Sequence, residues 1–268
     1  MNTGQETLKH SVPAHGAFVD YLASIGPALA ALAGLAAVLS GFGSRLGWWY
    51  FMTGFSILKG AAIGGLVAAI LSLLGGIFSG HERQSRTVVL AAAGVIIGLV
   101  TAGIPWSWMR LAEKMPVMHD ITTDMANPPQ FLKILPLRAN AEDPAAYGGP
   151  SVAVEQQRAY PDIQPLVLPL PPEQAFNEAL RTAQSMGWKI VDSSAREGRI
   201  EAVATTFWFG FKDDVVVRVA AAPGGSRIDV RSVSRVGASD LGTNARRVRA
   251  YLNKMGSAAA ETGPGAGY

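Results

Sequence analysis

The chain contains no cysteine. That absence excludes disulfide cross-links, a thiol nucleophile and thiolate metal sites, and is compatible with either side of a bacterial membrane. Charge is scarce as well, at 16% of residues, below the roughly 25% usual for a soluble domain. The scarcity is local. Residues 1–109 hold only Lys9, Arg45, Lys59, Arg83 and Arg86 against Glu6, Asp20 and Glu82, so eighteen of the 23 basic and seventeen of the 20 acidic residues fall later. The apolar excess therefore lies at the N-terminal end, a pattern that fits one membrane block plus one folded domain. The net charge of +3 is small. The pI of about 9.3 comes with no zinc-finger spacing, base-reading helix or stacking-aromatic motif, which argues against nucleic acid as a partner.

Residues 1–21 form a mixed polar tail without a compact basic start or a small-residue cleavage signal, so the first apolar segment reads as a retained anchor. Residues 22–108 then carry three stretches long enough to cross a hydrocarbon core of about 30 Å. The first spans about Leu22 to Phe42 with Pro27 near its start. The second follows the aromatic cluster Trp48–Phe51 and runs to about Phe78, interrupted by Lys59, whose charge must either snorkel outward or face other protein. The third runs from about Thr87 to Trp108, after the polar loop Gly80–Arg86. Gly60 and Gly64 on the second, and Gly94 and Gly98 on the third, stand four apart and would let helix backbones approach closely. Lys9, Arg83 and Arg86 favour an inside N-terminus, whereas Arg45, Arg110 and Lys114 oppose it, so charge alone leaves the orientation open.

Residues 109–170 read as an extended tether and docking segment. It is interrupted by prolines, with an exposed linker from Ala139 to Gln157 and with Phe131, Ile134 and Leu135 as its docking side chains. Residues 171–255 read as an α+β domain. Pro171 and Pro172 open a helix with Ala175, Phe176, Ala179, Leu180 and Ala183 on one face. Four strands follow, at Trp188–Asp192, Arg199–Thr205, Asp213–Ala221 and Arg227–Arg235, forming an antiparallel sheet. A helix over Ser239–Lys254 closes the domain, and residues 256–268, rich in Gly and Ala, read as a disordered tail.

Several motifs in this region occur in a specific order: HDITTD from His119, YPDIQPL from Tyr160, PPEQAF from Pro171 followed by GW, GRIEA from Gly198, FKDDVVVRV from Phe211, IDVRSVSRVG from Ile228, and SDLGTNARRVR from Ser239. In these the chain resembles the bacterial family known as domain of unknown function 1499, over roughly Met118 to Leu252. The resemblance implies an α+β domain, one held outside the cytoplasm on the inner membrane, with no assigned activity. It does not extend to the three-helix block.

Period-two alternation sorts the strand residues onto two faces. Ile200, Ala202, Ala204, Val215, Val217, Val219, Ile228 and Val230 form an apolar face for the two helices, and Arg199, Glu201, Arg218, Asp229, Arg231 and Arg235 form a charged one. On adjacent antiparallel strands Glu201, Arg218 and Asp229 or Arg231 would make a ladder, each cross-strand pair contributing about 0.2–1 kcal/mol. Two uses of that face follow. In a structural one, the ladder holds down the HDITTD segment by pairing Asp120 and Asp124 with arginines. In a binding one, Arg218, Arg231, Arg235 and Arg247, with Ser232, Ser234 and Asn244, take an anion such as a phosphate, a lipid headgroup or a cell-wall carboxylate, with His119, Asp120 and Asp124 nearby. Asp240 would cap the last helix and so occupy its anion-favouring amides.

Catalysis has weaker support. Asp213 and Asp214 are adjacent, hence on opposite faces of a strand, and a hairpin turn is the role expected of them. His119 stands alone in the C-terminal region and makes no metal site, and Ser232 and Ser234 lack a nucleophile elbow. A hydrolase would have to be built on His119, Asp120 and Arg231. The aromatic run Phe207, Trp208, Phe209 and Phe211 is either core or an exposed tip touching lipid or a hydrophobic ligand. The sequence thus points to a noncatalytic, membrane-tethered binding or scaffolding module of the cell envelope, with an anion or lipid carrier as the alternative. The expected partners are the bilayer, envelope proteins or a small anion, with no cofactor and no metal.

Overall fold

A computed structural model describes residues 14–78 and 85–262. Most of the N-terminal tail, most of the loop Gly80–Arg86 and the last residues of the C-terminal tail lie outside that range. The chain divides into two compact units, one ending at Arg110 and the other beginning at Leu111.

The first unit is α1 (Ala14–Arg45), α2 (Phe51–Phe78) and α3 (Ser85–Ala112). Three stretches within it, Ser24–Arg45, Phe51–Phe78 and Arg86–Ala112, are long and apolar enough to cross a membrane. Small residues set how closely they pack. A Cβ added at Gly98 would lie 2.3 Å from Gly65 O, and one at Gly94 would lie 2.2 Å from Ser72 Oγ. Gly94 and Gly98 are thus contact residues, as their spacing suggests, but on α2 the close approach is made by Gly65. Gly60 has nothing near its added Cβ and Gly64 meets only Ala33, at 3.8 Å. Lys59 is exposed and does not face the bundle.

The second unit is built on an antiparallel sheet of six strands rather than four. Strands β3 (Lys189–Ser194), β4 (Arg199–Thr205), β5 (Lys212–Ala222) and β6 (Gly225–Ser234) follow the expected segments closely. The two extra strands, β1 (Asp120–Thr122) and β2 (Leu166–Leu168), come from the segment read as a tether. The order is β1-β6-β5-β4-β3, with β2 pairing β6 as well. Both short strands therefore share one edge of β6, β1 beside Arg231–Val233 and β2 beside Ser226–Ile228. A three-residue strand carries too little periodicity to be seen in sequence, but the open edge of β6 must be covered.

One face of the sheet carries the apolar core. Helices α5 (Pro172–Ser185) and α6 (Thr243–Thr262) pack on it, and all eight apolar-face residues named above lie in one buried cluster with Phe176, Trp188 and Tyr251. Pro172 starts α5 where a missing amide costs nothing. Trp188 stacks on Tyr251 with ring centroids 5.0 Å apart, and the Tyr251 hydroxyl donates to Ala179 O at 2.9 Å, tying α6 to α5.

Three details differ from the sequence reading. The stretch Ala139–Gln157 is not simply an exposed linker, because α4 (Pro150–Ala159) forms there and fully buries Gln156. The Gln156 amide donates to Thr122 O at 2.7 Å and accepts from Thr122 N at 3.0 Å, continuing the ladder past β1. The last helix starts at Thr243, not Ser239, and runs through Gly256 to Thr262, into the segment read as tail. Asp240 nonetheless serves as its cap, accepting from Gly242 N at 2.8 Å and Asn244 N at 2.6 Å.

Candidate functional site: an arginine face sealed by its own chain

The second face of the sheet is charged in sequence, and it is mostly covered, with Arg218 and Arg227 left part-exposed at one edge. A strap, residues 118–149, folds across it. Phe131 and Ile134 are buried from the strap side against Val203, Val216 and Val233, making a second small core. Leu135, expected to dock with them, is exposed instead. Around this apolar centre, carboxylates and guanidinium groups lock strap to sheet.

The register splits the expected ladder into two rows. Glu201 lies opposite Val216, which lies opposite Arg231, whereas Arg199 lies opposite Arg218, which lies opposite Asp229. Glu201 and Arg218 are therefore not direct partners. Arg199 and Arg218, like charges side by side, are neutralised from their flanks. Arg199 pairs with Asp192 at 2.9 Å and Glu197 at 2.7 Å, and also with Glu201. Hydrogen bonding to Arg199 holds the Glu197 carboxyl below its usual range.

Each strap carboxylate singled out in sequence meets arginine. Asp120 receives Arg231 Nε at 2.9 Å and Nη2 at 2.7 Å, a bidentate fork. Phe131 and Tyr147 flank the same guanidinium with ring centroids 5.2 and 5.5 Å away. Asp124 receives Arg218 and Arg227, both at 2.9 Å, and those arginines also hold Asp229. Arg138, from the strap's own 3-10 turn, reaches Asp214 at 2.6 Å, and Arg235 reaches the same carboxylate at 2.7 Å. Glu201 is fully buried and accepts the backbone amides of Leu132, Lys133 and Ile134 at 2.8–3.1 Å.

The residues proposed to share an anion site are divided by the pleat of β6. Arg218, Arg231 and Arg235 lie under the strap, while Ser232, Ser234, Asn244 and Arg247 lie on the helix side. There Ser232 donates to Asn244 Oδ1 at 2.6 Å, Asn244 donates to Ser234 Oγ at 2.9 Å, and Arg247 pairs with Asp213 at 2.5 Å and also bonds Asn244. Successive residues of a strand point to opposite faces, so Arg231 and Ser232 cannot meet. The same rule separates Asp213 from Asp214. Both are buried in β5 and paired, not placed in a hairpin turn.

The trio His119, Asp120 and Arg231 does not converge either. Both oxygens of Asp120 are taken by Arg231, and His119 Nε2 lies 3.9 Å from Asp143 instead. Burial raises the Asp143 carboxyl above its ordinary range, against the opposing fields of His119 and Arg138. Among the described residues no cluster of three or more His, Asp or Glu has metal-site geometry. Of two clefts, one of about 510 Å³ lies beside Pro172 and Arg196–Gly198, and one of about 340 Å³ lies between Gly187, Thr205 and Arg246; Arg247 lines the second and is the one candidate anion-site residue that reaches either.

Sequence reasoning missed Arg138, Asp214, Arg227, Tyr147 and Gln156. Asp214 was findable, since it shares parity with Val216 and Arg218 and so belongs to the charged face. Arg138 lies three residues after Leu135, within reach of the side chains expected to dock. Gln156 carries no such signal.

Tyr147 offers a test of the seal. Its hydroxyl is buried and makes no hydrogen bond within the protein. Burial first, and then the Asp120 carboxylate, push its pKa up to about 12, with Arg231 opposing. In the unfolded chain a tyrosine ionises near 10. Between those values the unfolded chain loses the proton while the folded one keeps it, so stability falls as pH rises through the window. Tyr147→Phe is expected to leave the melting temperature unchanged or slightly higher at neutral pH, because it deletes an unsatisfied buried hydroxyl. It should also flatten part of the alkaline loss. Melts with the same alkaline slope as the parent would show the phenol to be open to water.

Fold and site together define a class: three helices apolar enough to span a membrane, joined to a domain with helices on one face of an antiparallel sheet and a salt-bridged strap on the other. Residues 120–255, about half of the chain, match the family described as protein of unknown function (DUF1499). The chain belongs to that family. No curated protein matches it.

Proposed function

We propose that the chain is a noncatalytic binding or scaffolding module of the bacterial cell envelope, anchored by three spans with its domain on the periplasmic side of the inner membrane. The observation that carries the noncatalytic reading is the strap. The arginines that would recruit an anion, Arg218, Arg231 and Arg235, are each neutralised by carboxylates of the same chain, and Arg231 has no exposure at all. A buried charge left without its partner is strongly destabilising, so an incoming anion would have to displace a strap that already satisfies every one of them. This weighs against the carrier and hydrolase alternatives. In this topology the N-terminus and the loop holding Arg83 and Arg86 face the cytoplasm while Arg45, Arg110 and Lys114 face away from it, so the basic residues are balanced and the orientation rests on the family resemblance. Lys59 would snorkel to the interface.

Orientation is directly testable because the chain has no cysteine. Ser257 is exposed on α6 and Ser85 opens α3. A Ser257→Cys variant is expected to react with a membrane-impermeant maleimide in cells whose outer membrane has been permeabilised, and a Ser85→Cys variant to react only after lysis. The reverse pattern would place the domain in the cytoplasm and overturn the reading.

A further inference from the structure

We propose that the β4–β5 hairpin tip and the basic residues around it form a lipid-contacting surface, seating this end of the domain on the anionic headgroup layer of the membrane that holds the apolar helices. The inference rests on those helices crossing a bilayer. Phe207 is 79% exposed, the largest value for any big apolar side chain among the described residues, including those of the apolar helices. The tip that presents it is stiff. Thr206 N donates to Phe211 O at 2.8 Å, and Phe211 N donates back to Thr206 Oγ1 at 2.9 Å. Phe209 is buried and stacks on Phe211 with an interplanar angle of 6°, while Trp208 stands edge-on to Phe209 and is half-buried. A rigid loop with one outward phenylalanine and a part-exposed indole suits the interface of a bilayer, where such rings are stable.

The charges around it are of the matching kind. Lys212 lies opposite Thr205 at the base of the tip, Lys189 lies opposite Val203 at the same end of the sheet, and Arg246 lines the cleft with Ala204 and Thr205. All three are exposed. Arg246 donates only to Leu241 O and Thr243 Oγ1. Among the described residues none of the three is in an ion pair, whereas every arginine of the sealed face is. Of the carboxylates, Glu142 and Asp143 reach this end through their amides to Arg235 O, and Asp240 lies here as the cap of α6. Asp143 faces His119 and Arg138, and Glu142 and Asp240 offset two of the three exposed cations, so a small positive excess remains. Exposed lysine and arginine beside inserted aromatics attract anionic lipid.

Connectivity supplies the remaining argument. The chain leaves α3 at Ala112, and by Met115 it is already packed on this end of the domain. The Tyr160 hydroxyl lies 3.9 Å from Met115 Sδ, Ser239 Oγ donates to Pro116 O at 3.3 Å, and Asp240 N donates to Met118 O at 3.2 Å. These residues directly precede Thr243 and Arg246, which rim the cleft beside the tip. Val117, in the same entry stretch, is 72% exposed. The end bearing Phe207 is thus the end where the chain arrives from the third apolar helix.

The test uses the full chain in nanodiscs of phosphatidylcholine with or without phosphatidylglycerol, carrying Phe207→Cys labelled with bimane. With phosphatidylglycerol the label is expected to emit at shorter wavelength, to be quenched by nitroxide-labelled phospholipid and to be shielded from iodide. Adding Lys212→Glu and Arg246→Glu should reverse all three effects without changing the domain's melting. A label that iodide reaches and nitroxide lipid does not, in both compositions, would overturn the proposal. So would a label shielded from both quenchers, which would mean that protein covers the tip. Alkaline carbonate extraction separates the two levels. A chain that is washed out defeats the anchoring reading and this proposal with it, whereas a chain that stays while iodide reaches the label defeats the tip proposal alone.

Discussion

Replacing Arg231 by alanine is expected to cost the domain about 3–5 kcal/mol, the range for removing one partner of a buried ion pair. Asp120 would keep its burial, at 6% exposure, and lose both hydrogen bonds of its bidentate partner. The strap would lose the contact of Arg231 with Ala145 O at 2.8 Å and its packing between Phe131 and Tyr147. Arg231→Lys should fall between parent and alanine, because an ammonium keeps the charge but not the planar fork. The discriminating variant is the pair Asp120→Val with Arg231→Met, which leaves neither charge stranded and is expected to recover most of the loss. Denaturation of the full chain in detergent, following the domain's transition, measures all four. An alanine variant that melts with the parent would mean that the strap does not seal the face, and the noncatalytic reading would lose its main support.

That result bears on how much could be read in advance. The apolar face of the sheet was legible residue by residue, since alternation from Ile200 to Val230 needs only the two-residue period of a strand. The pairing of Asp120 and Asp124 with arginines was also legible, because buried or half-buried carboxylates in a docking segment need cations. The separation of Arg231 from Ser232 was equally legible: grouping these adjacent residues by chemistry ignores the same two-residue period, which puts them on opposite sides of β6. The strap was unreadable. Its one strand, β1, is three residues long, its hold on the sheet is made by side chains far away in sequence, and Gln156, beyond its end, reaches Thr122 across 34 residues. Proline interruption reads as a linker because local periodicity is weak, while the order in it is mostly tertiary.

The same strap has a second fastening, and its removal is expected to act locally before it acts globally. Glu201 accepts three consecutive strap amides, from Leu132, Lys133 and Ile134, and also pairs with Arg199. In Glu201→Ala those amides face a dry pocket with no acceptor, at a cost of about 1–3 kcal/mol for each group left unsatisfied. The segment should therefore peel from the sheet rather than stay. Glu201→Gln tests whether shape or charge holds it. The glutamine carbonyl can still accept from Leu132 and Lys133, but its NH2 would point a donor at the Ile134 amide, so the variant should open at Ile134 and hold at Leu132. Arg199 retains Asp192 and Glu197 in either case, which confines the damage to the strap. Hydrogen exchange on the full chain reads this directly. Protection at Leu132–Ile134 should collapse in the alanine variant while β4 and β5 amides stay protected. Uniform loss across the sheet would instead mean that strap and sheet unfold as one unit, and that the charged face never opens on its own.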